Sequence, residues 1–265
     1  MTLYDENGFL GAKLDDWIVQ HRESHRAILT LALELNRECH RFIDGRSVDL
    51  SDTNQLTNAA LFARLMELYQ SVLLTVDRGM RAPTRILFRA FLECFFHFAA
   101  IHNDPEYLEV YLDQVEVQRK KLVNRIRRTT DPGLENLRQP IGPELIQEIG
   151  DIDVSGISIA EVATRAGWHS VYVTVYELLS RSVHSNAGDI EAHLECDRAG
   201  REIISLRYGP TDAETARTIG LAGMTMADAL NDIARDFSED LSEQCTKLKR
   251  SFESLLMDAG ASKTS

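Results

Sequence analysis

The sequence predicts an all-α protein: a single helical-bundle domain over residues 1–265, with one small β-hairpin near 193–208. Three observations carry this. Apolar residues recur every three or four positions through most of the chain, the period of a helix with one buried face. Capping residues and glycines punctuate that pattern where helices should start and stop. One β-rich stretch, Arg201–Tyr208, alternates weakly behind the turn Asp197-Arg-Ala-Gly200, which is the mark of a hairpin. No internal repeat or linker divides the chain.

The first helix is expected over Leu10–Asp44, with Leu14, Ile18, His21, His25, Ile28, Ala32, Leu35, Cys39 and Phe42 on one stripe and Gly45 closing it. His21 and His25 stand four apart, a spacing that can hold a metal on one helix face. No third ligand is evident nearby, so they read as packed or interfacial histidines, and no metal or cofactor is expected. Ser51, Asp52 and Thr53 cap a second helix over Asn54–Arg78. The third, Arg81–Asn103, begins with Pro83 in its first turn. It is apolar on all sides from Ile86 to Ile101, as befits the centre of a bundle. A fourth, Pro105–Arg128, is amphipathic and ends in Arg119, Lys120, Lys121, Arg125, Arg127 and Arg128. Cations there complement the helix dipole; the alternative is an anion or RNA contact.

From Thr129 to Ile157 the pattern dissolves into an irregular excursion with one helical turn near Glu144–Ile149. The capping box Ser158-Ile-Ala-Glu161 then opens a short helix that Gly167 ends. Another helix is read over Trp168–Asn186. A second capping box, Thr211-Asp-Ala-Glu214, opens a long helix to Met257, loosened at Gly220 and Gly223, with a frayed tail over 259–265.

Two polar stripes stand out on otherwise apolar helices. Arg85, Arg89, Glu93 and His97 recur every four residues in the third helix; Tyr172, Tyr176, Ser180 and His184 do the same in the Trp168 helix. Buried charge is costly unless paired and hydrogen-bonded, so the first stripe must meet partners in the core or border a cleft. Each i+4 step overshoots a helical turn by about 40°, so two such helices must cross at a small angle to keep their stripes face to face. The expected contacts are Arg85 or Arg89 with Glu93, joined by Tyr176 or His184.

The stretches RAPTRILFRAFLECFFHFAAIHNDPE and SIAEVATRAGWHSVYVTVYELLSRSVHSNAG, with their Arg-x-x-x-Glu and Tyr-x-x-x-Tyr-x-x-x-Ser-x-x-x-His runs, resemble the domain-of-unknown-function family 5677, an uncharacterised and mainly bacterial family. The resemblance spans Leu56–Asp197. It implies a helical fold and marks Arg89, Glu93, Tyr172, Tyr176, Ser180 and His184 as a site, but brings no activity with it.

Composition narrows the function. A formal net charge of −12 argues against a whole-surface nucleic-acid binder. The cysteines Cys39, Cys94, Cys196 and Cys245 are far apart in sequence and read as reduced thiols of a cytoplasmic protein. The acidic start MTLYDENGF is no secretory signal, and the most apolar window is interrupted by Arg89 and Glu93, so no membrane contact is expected. The motifs GxGxxG, GxxxxGK[ST], GxSxG and HExxH are missing from the sequence. A Ser180–His184–Glu93 triad finds no oxyanion-hole signal.

Two readings remain. One is a binding or interaction module whose Arg–Glu–Tyr–His cluster fixes the helices or recognises a small anion. The other resembles the HEPN ribonucleases of toxin and defence systems, with His184, Arg181 and Glu93 as candidate catalytic groups, the His as acid or base and the Arg steadying the phosphate. Two residues separate Arg181 from His184, and seven separate Arg89 from His97. Neither interval reproduces the HEPN spacing. A homodimer is expected through the first helix, whose apolar face exceeds what one neighbour covers.

Overall fold

In the computed structural model of the chain, residues 6–138, 141–148, 150, 156–183, 190–197 and 202–261 are described. The helix expected over 10–44 is two helices, α1 (Leu14–Ser24) and α2 (Arg26–Ile43), meeting at His25, whose φ of −117° leaves the helical range. The Ser24 hydroxyl donates to the Gln20 carbonyl, a local bond that bends helices. The bend stacks the buried His21 ring on Trp17, with centroids 4.5 Å apart, and brings His25 against it. Burial, and then His25, hold the His21 imidazole below its ordinary range. The stripe residues Leu14, Ile18, Ile28, Ala32, Leu35, Cys39 and Phe42 are all buried within the chain itself. The face expected to seek a second copy is therefore covered by the protein's own helices.

In α3 (Thr53–Asp77), the Asp52 side chain accepts from the amides of Asn54 and Gln55. By length and apolarity α3 could cross a membrane, but here it packs along α4 (Arg81–Asn103), α2 and the helix Thr215–Asp236. Gly79 joins α3 to α4 at φ +66°, where a Cβ would fall 2.6 Å from the Trp17 ring. Only glycine fits both the conformation and the space.

Helix α4 is the centre, as its all-round apolarity predicted. Phe91, Phe95, Phe96, Phe98 and Ala100 are fully buried there. Helix α5 (Tyr107–Arg128) leaves the bundle, and only Tyr107, Val117 and Val123 of its residues are buried. The irregular excursion contains a 3-10 turn, Pro132–Leu134, and two short helices, α6 (Glu135–Arg138) and α7 (Pro143–Glu148). Ser158 caps α8 (Ile159–Arg165) by accepting from the Glu161 amide at 3.2 Å.

Helix α9 spans residues 169–183. It has α-helical ends, His169–Val171 and Glu177–Val183, around a π-helical stretch at Tyr172–Tyr176. The hairpin pairs β1 (Leu194–Cys196) with β2 (Ile203–Leu206) antiparallel, with an irregularity at Glu195/Cys196; its expected turn over 197–200 falls mostly outside the described residues.

The last helix is also two. α10 (Thr215–Asp236) and α11 (Ser242–Ala261) are separated by a turn in which Ser238 adopts φ +57° and the Glu239 amide reaches back to the Ala234 carbonyl. The break is not at the glycines. Gly220 and Gly223 lie inside α10 and let α11 approach, with Leu256 and Phe252 occupying the space where their Cβ atoms would stand. Helix α11 runs to Ala261 rather than fraying from 259, and 262–265 lie outside the described residues.

Where α3, α4 and α10 converge, His102 Nδ1 donates to the Phe98 carbonyl at 2.9 Å, and its Nε2 lies 3.1 Å from Asp236 Oδ2. Asn58 donates to the same oxygen at 2.8 Å. Both ring nitrogens face acceptors, so only the imidazolium satisfies both bonds. Burial lowers the His102 pKa, but the bonds to Asp236 and Phe98 outweigh it and leave a net rise. A raised histidine adds stability that is fully present below its unfolded pKa near 6.5 and is lost as pH rises through the folded value. Melts between about pH 6 and pH 8 should therefore show a decline that Asp236→Asn removes. An NMR titration giving His102 an ordinary or lowered pKa would refute this.

Candidate functional site

The α4 stripe is satisfied residue by residue, and each residue meets a different element. At its N-terminal end Arg85, whose side chain is 13% exposed, donates through Nε and Nη2 to the two carboxylate oxygens of Glu214, both at 2.9 Å. Its Nη1 reaches the buried Ser182 hydroxyl at 3.3 Å. Arg81 donates to the same carboxylate at 3.2 Å. Glu214 was read from sequence as the capping-box acid of the last helix. Instead its side chain is the counter-ion of two arginines, and the two-pronged geometry with Arg85 is the strongest form of that pairing.

One turn on, Arg89 Nε donates to the Ser180 hydroxyl at 3.1 Å. Its guanidinium lies over the Tyr176 ring, 4.7 Å from the centroid, a cation–π contact. Its Nη1 stands 3.5 Å from Glu93 Oε2. The Tyr176 hydroxyl donates to that oxygen at 2.9 Å. The expected Arg89–Glu93–Tyr176 grouping is thus present in the structure. Burial and then the Glu93 charge push the Tyr176 phenol well above its usual range, so it acts as a donor and not as a phenolate. The Ser180 hydroxyl in turn donates to the Tyr176 carbonyl at 2.9 Å.

The last stripe residue, His97, diverges from this group. Its Nδ1 is hydrogen-bonded to the Tyr107 hydroxyl at 2.7 Å, and its ring packs against Tyr107 and Tyr111. Burial, only partly opposed by Glu93, lowers its pKa and keeps it neutral. Arg165 seals this corner, bonded to Asp104 at 3.1 Å and set over the Tyr107 ring.

The π-helical stretch explains how Tyr172, Tyr176 and Ser180 stay in line. A π turn closes from i to i+5 and so holds more than four residues. The i+4 step from Tyr172 to Tyr176 no longer overshoots, and the drift expected of a regular helix is cancelled where α9 lies on α4. Tyr172 stacks on Tyr176, with centroids 5.2 Å apart, and its hydrogen bond to Glu177 raises its pKa. Such stretches are costly and are frequent at functional sites. At the surface of this cluster Glu93 is 42% exposed, Tyr172 is half-buried and Arg181 is exposed. His184 lies outside the described residues.

Sequence reasoning missed Glu214, Ser182 and Tyr107. An apolar helix carrying Arg85 announced that an acid must exist, but not which one. Several acids start helices, and only the topology brings Glu214 to this one.

The family described as "Family of unknown function (DUF5677)" matches residues 58–202, a span that contains both polar stripes. No curated protein and no solved structure gave a significant match. With more than half of its length matched, the chain belongs to the DUF5677 family.

Proposed function

We propose that this DUF5677 protein is a binding module, with the exposed edge of the Arg89–Glu93–Tyr172–Tyr176 cluster and Arg181 as its recognition face for a small anionic ligand, in the cytoplasm. The observation that supports it is the lock on Arg89. Ser180, Glu93 and the Tyr176 ring hold one guanidinium from three sides, a pre-set arrangement that lowers the ordering cost of binding. Two further groups are committed to other partners: His97 to Tyr107, and the Ser180 hydroxyl to a backbone carbonyl. Burial also pushes the Cys94 and Cys245 thiols up to about 12, so they are inert as nucleophiles.

Inorganic phosphate is the probe for the test, read by thermal shift and by tryptophan fluorescence in a Trp17→Phe background, which leaves Trp168, at the N-cap position of α9 and edge-on against Phe95, as the reporter. Phosphate should raise the wild-type melting temperature, and Arg181→Gln should abolish the shift while melting normally on its own. A single-stranded RNA should survive incubation with both proteins. No phosphate response in the wild type would sink the anion reading. RNA cleavage lost in Arg181→Gln would establish the ribonuclease reading in its place.

A further inference from the structure

Helix α5 carries an unused pattern. Behind Glu106 at its N-cap, its N-terminal half holds Glu109, Asp113 and Glu116 without a single Lys or Arg; from Arg119 to Arg128 it holds six cations without an acid. Dipole matching accounts for charges in the first and last turns only. Asp113, Glu116 and Arg119 lie well inside the helix, and the one pair there, Arg119 with Glu116 at 3.3 Å, does not explain why acids gather at one end and bases at the other. Along the same helix Leu112, Val115 and Leu122 are 42%, 67% and 57% exposed. They are spaced i, i+3, i+10, the seam of a two-helix coiled coil, with Arg119 at the seam position between Val115 and Leu122. This row is apolar, solvent-facing and carried on the helix that leaves the bundle.

We propose that α5 is the interface for a second copy of this chain, the two helices lying antiparallel about a two-fold axis near Val117. In that arrangement Leu112 of one protomer lies level with Leu122 of the other, and Glu109 lies level with Arg125. Each acidic half then covers the basic half of its partner. A single helix with its charges divided end from end is complementary to itself only when reversed, which is the self-matching that a two-fold interface requires. A polyanion would satisfy the basic half alone and would meet repulsion from the acidic half and from the net charge of −12.

Sedimentation equilibrium on the full chain is the test. The wild type should sediment at twice the 29.9 kDa chain mass, less tightly at high salt. Leu122→Asp should give the monomer, and Arg125→Glu or Glu109→Arg alone should weaken the dimer by about two- to thirtyfold, since the two-fold axis counts each change twice. All three positions are solvent-facing, so each variant should melt as the wild type does. A wild-type monomer overturns the proposal. So does a dimer indifferent to Leu122→Asp, which would move the contact to another face, such as the groove of Val19, Leu33 and Leu74 between α1, α2 and α3. RNA retention lost on Arg125→Glu in a monomeric protein would assign the basic half to nucleic acid.

Discussion

Glu214→Ala is expected to destabilise the protein by about 2–4 kcal/mol, the lower range for breaking a buried ion pair, and to lower the melting temperature by about 4–7 °C for a chain of this size. Arg85 is the reason. Its side chain is 13% exposed and cannot turn to water when its partner is removed, whereas Glu214, at 35%, keeps the cost below that of a fully dry pair. Arg81 loses the same acceptor. Replacing both partners, Arg85→Met with Glu214→Leu, should recover much of the loss, because the penalty belongs to the stranded charge. By contrast Glu93→Ala should cost under about 1 kcal/mol, as expected for an exposed pair: Arg89 keeps Ser180 and the Tyr176 ring when Glu93 is gone. Equal melting temperatures for Glu214→Ala and wild type would show that the arginines are solvated.

Gly223→Val should cost about 3 kcal/mol, at the upper end of overpacking penalties. The missing Cβ position lies 2.3 Å from the Phe252 ring, and that ring is fully buried with nowhere to retreat. The gain in helix propensity over glycine, under about 1 kcal/mol, does not offset a clash of this kind. Phe252→Ala alone should cost about 3–5 kcal/mol through the cavity it leaves. The double variant should lose clearly less than the two costs added, since valine then fills part of that space. Strict additivity in urea melts would disprove the contact.

Much of the fold was legible because its signals are local. Pro83, the apolar run to Ile101 and the polar Asn103-Asp104 bound α4 correctly, and Asp52 capped α3 where expected. The helix breaks at His25 and over Phe237–Leu241 were not legible: neither contains a glycine or proline, and an apolar period can pass through a bend. Gly220 and Gly223 misled for the complementary reason. A glycine inside a helix can mark a weak point or a close neighbour, and only the packing of Phe252 and Leu256 decides which. At the site, Arg89, Glu93, Tyr176 and Ser180 were found because their four-residue spacing is itself the signal. The π turn that aligns them left no trace in that spacing, and Glu214 was hidden by its resemblance to an ordinary cap.

The α4 stripe also sets a timetable for folding. Its partners lie farther along the chain the closer the stripe residue is to the helix start: 10 residues for His97 with Tyr107, 83 for Glu93 with Tyr176, 91 for Arg89 with Ser180 and 129 for Arg85 with Glu214. Loop closure costs more as the loop lengthens, though slowly, and each contact formed shortens the loop left to close. The stripe therefore fastens from its C-terminal end backwards, and the same order is imposed during synthesis from the N-terminus. Arg85 waits longest: until residue 214 has emerged, the central helix of the bundle carries an arginine without its counter-ion, and the finished core can close only when the last fifth of the protein arrives.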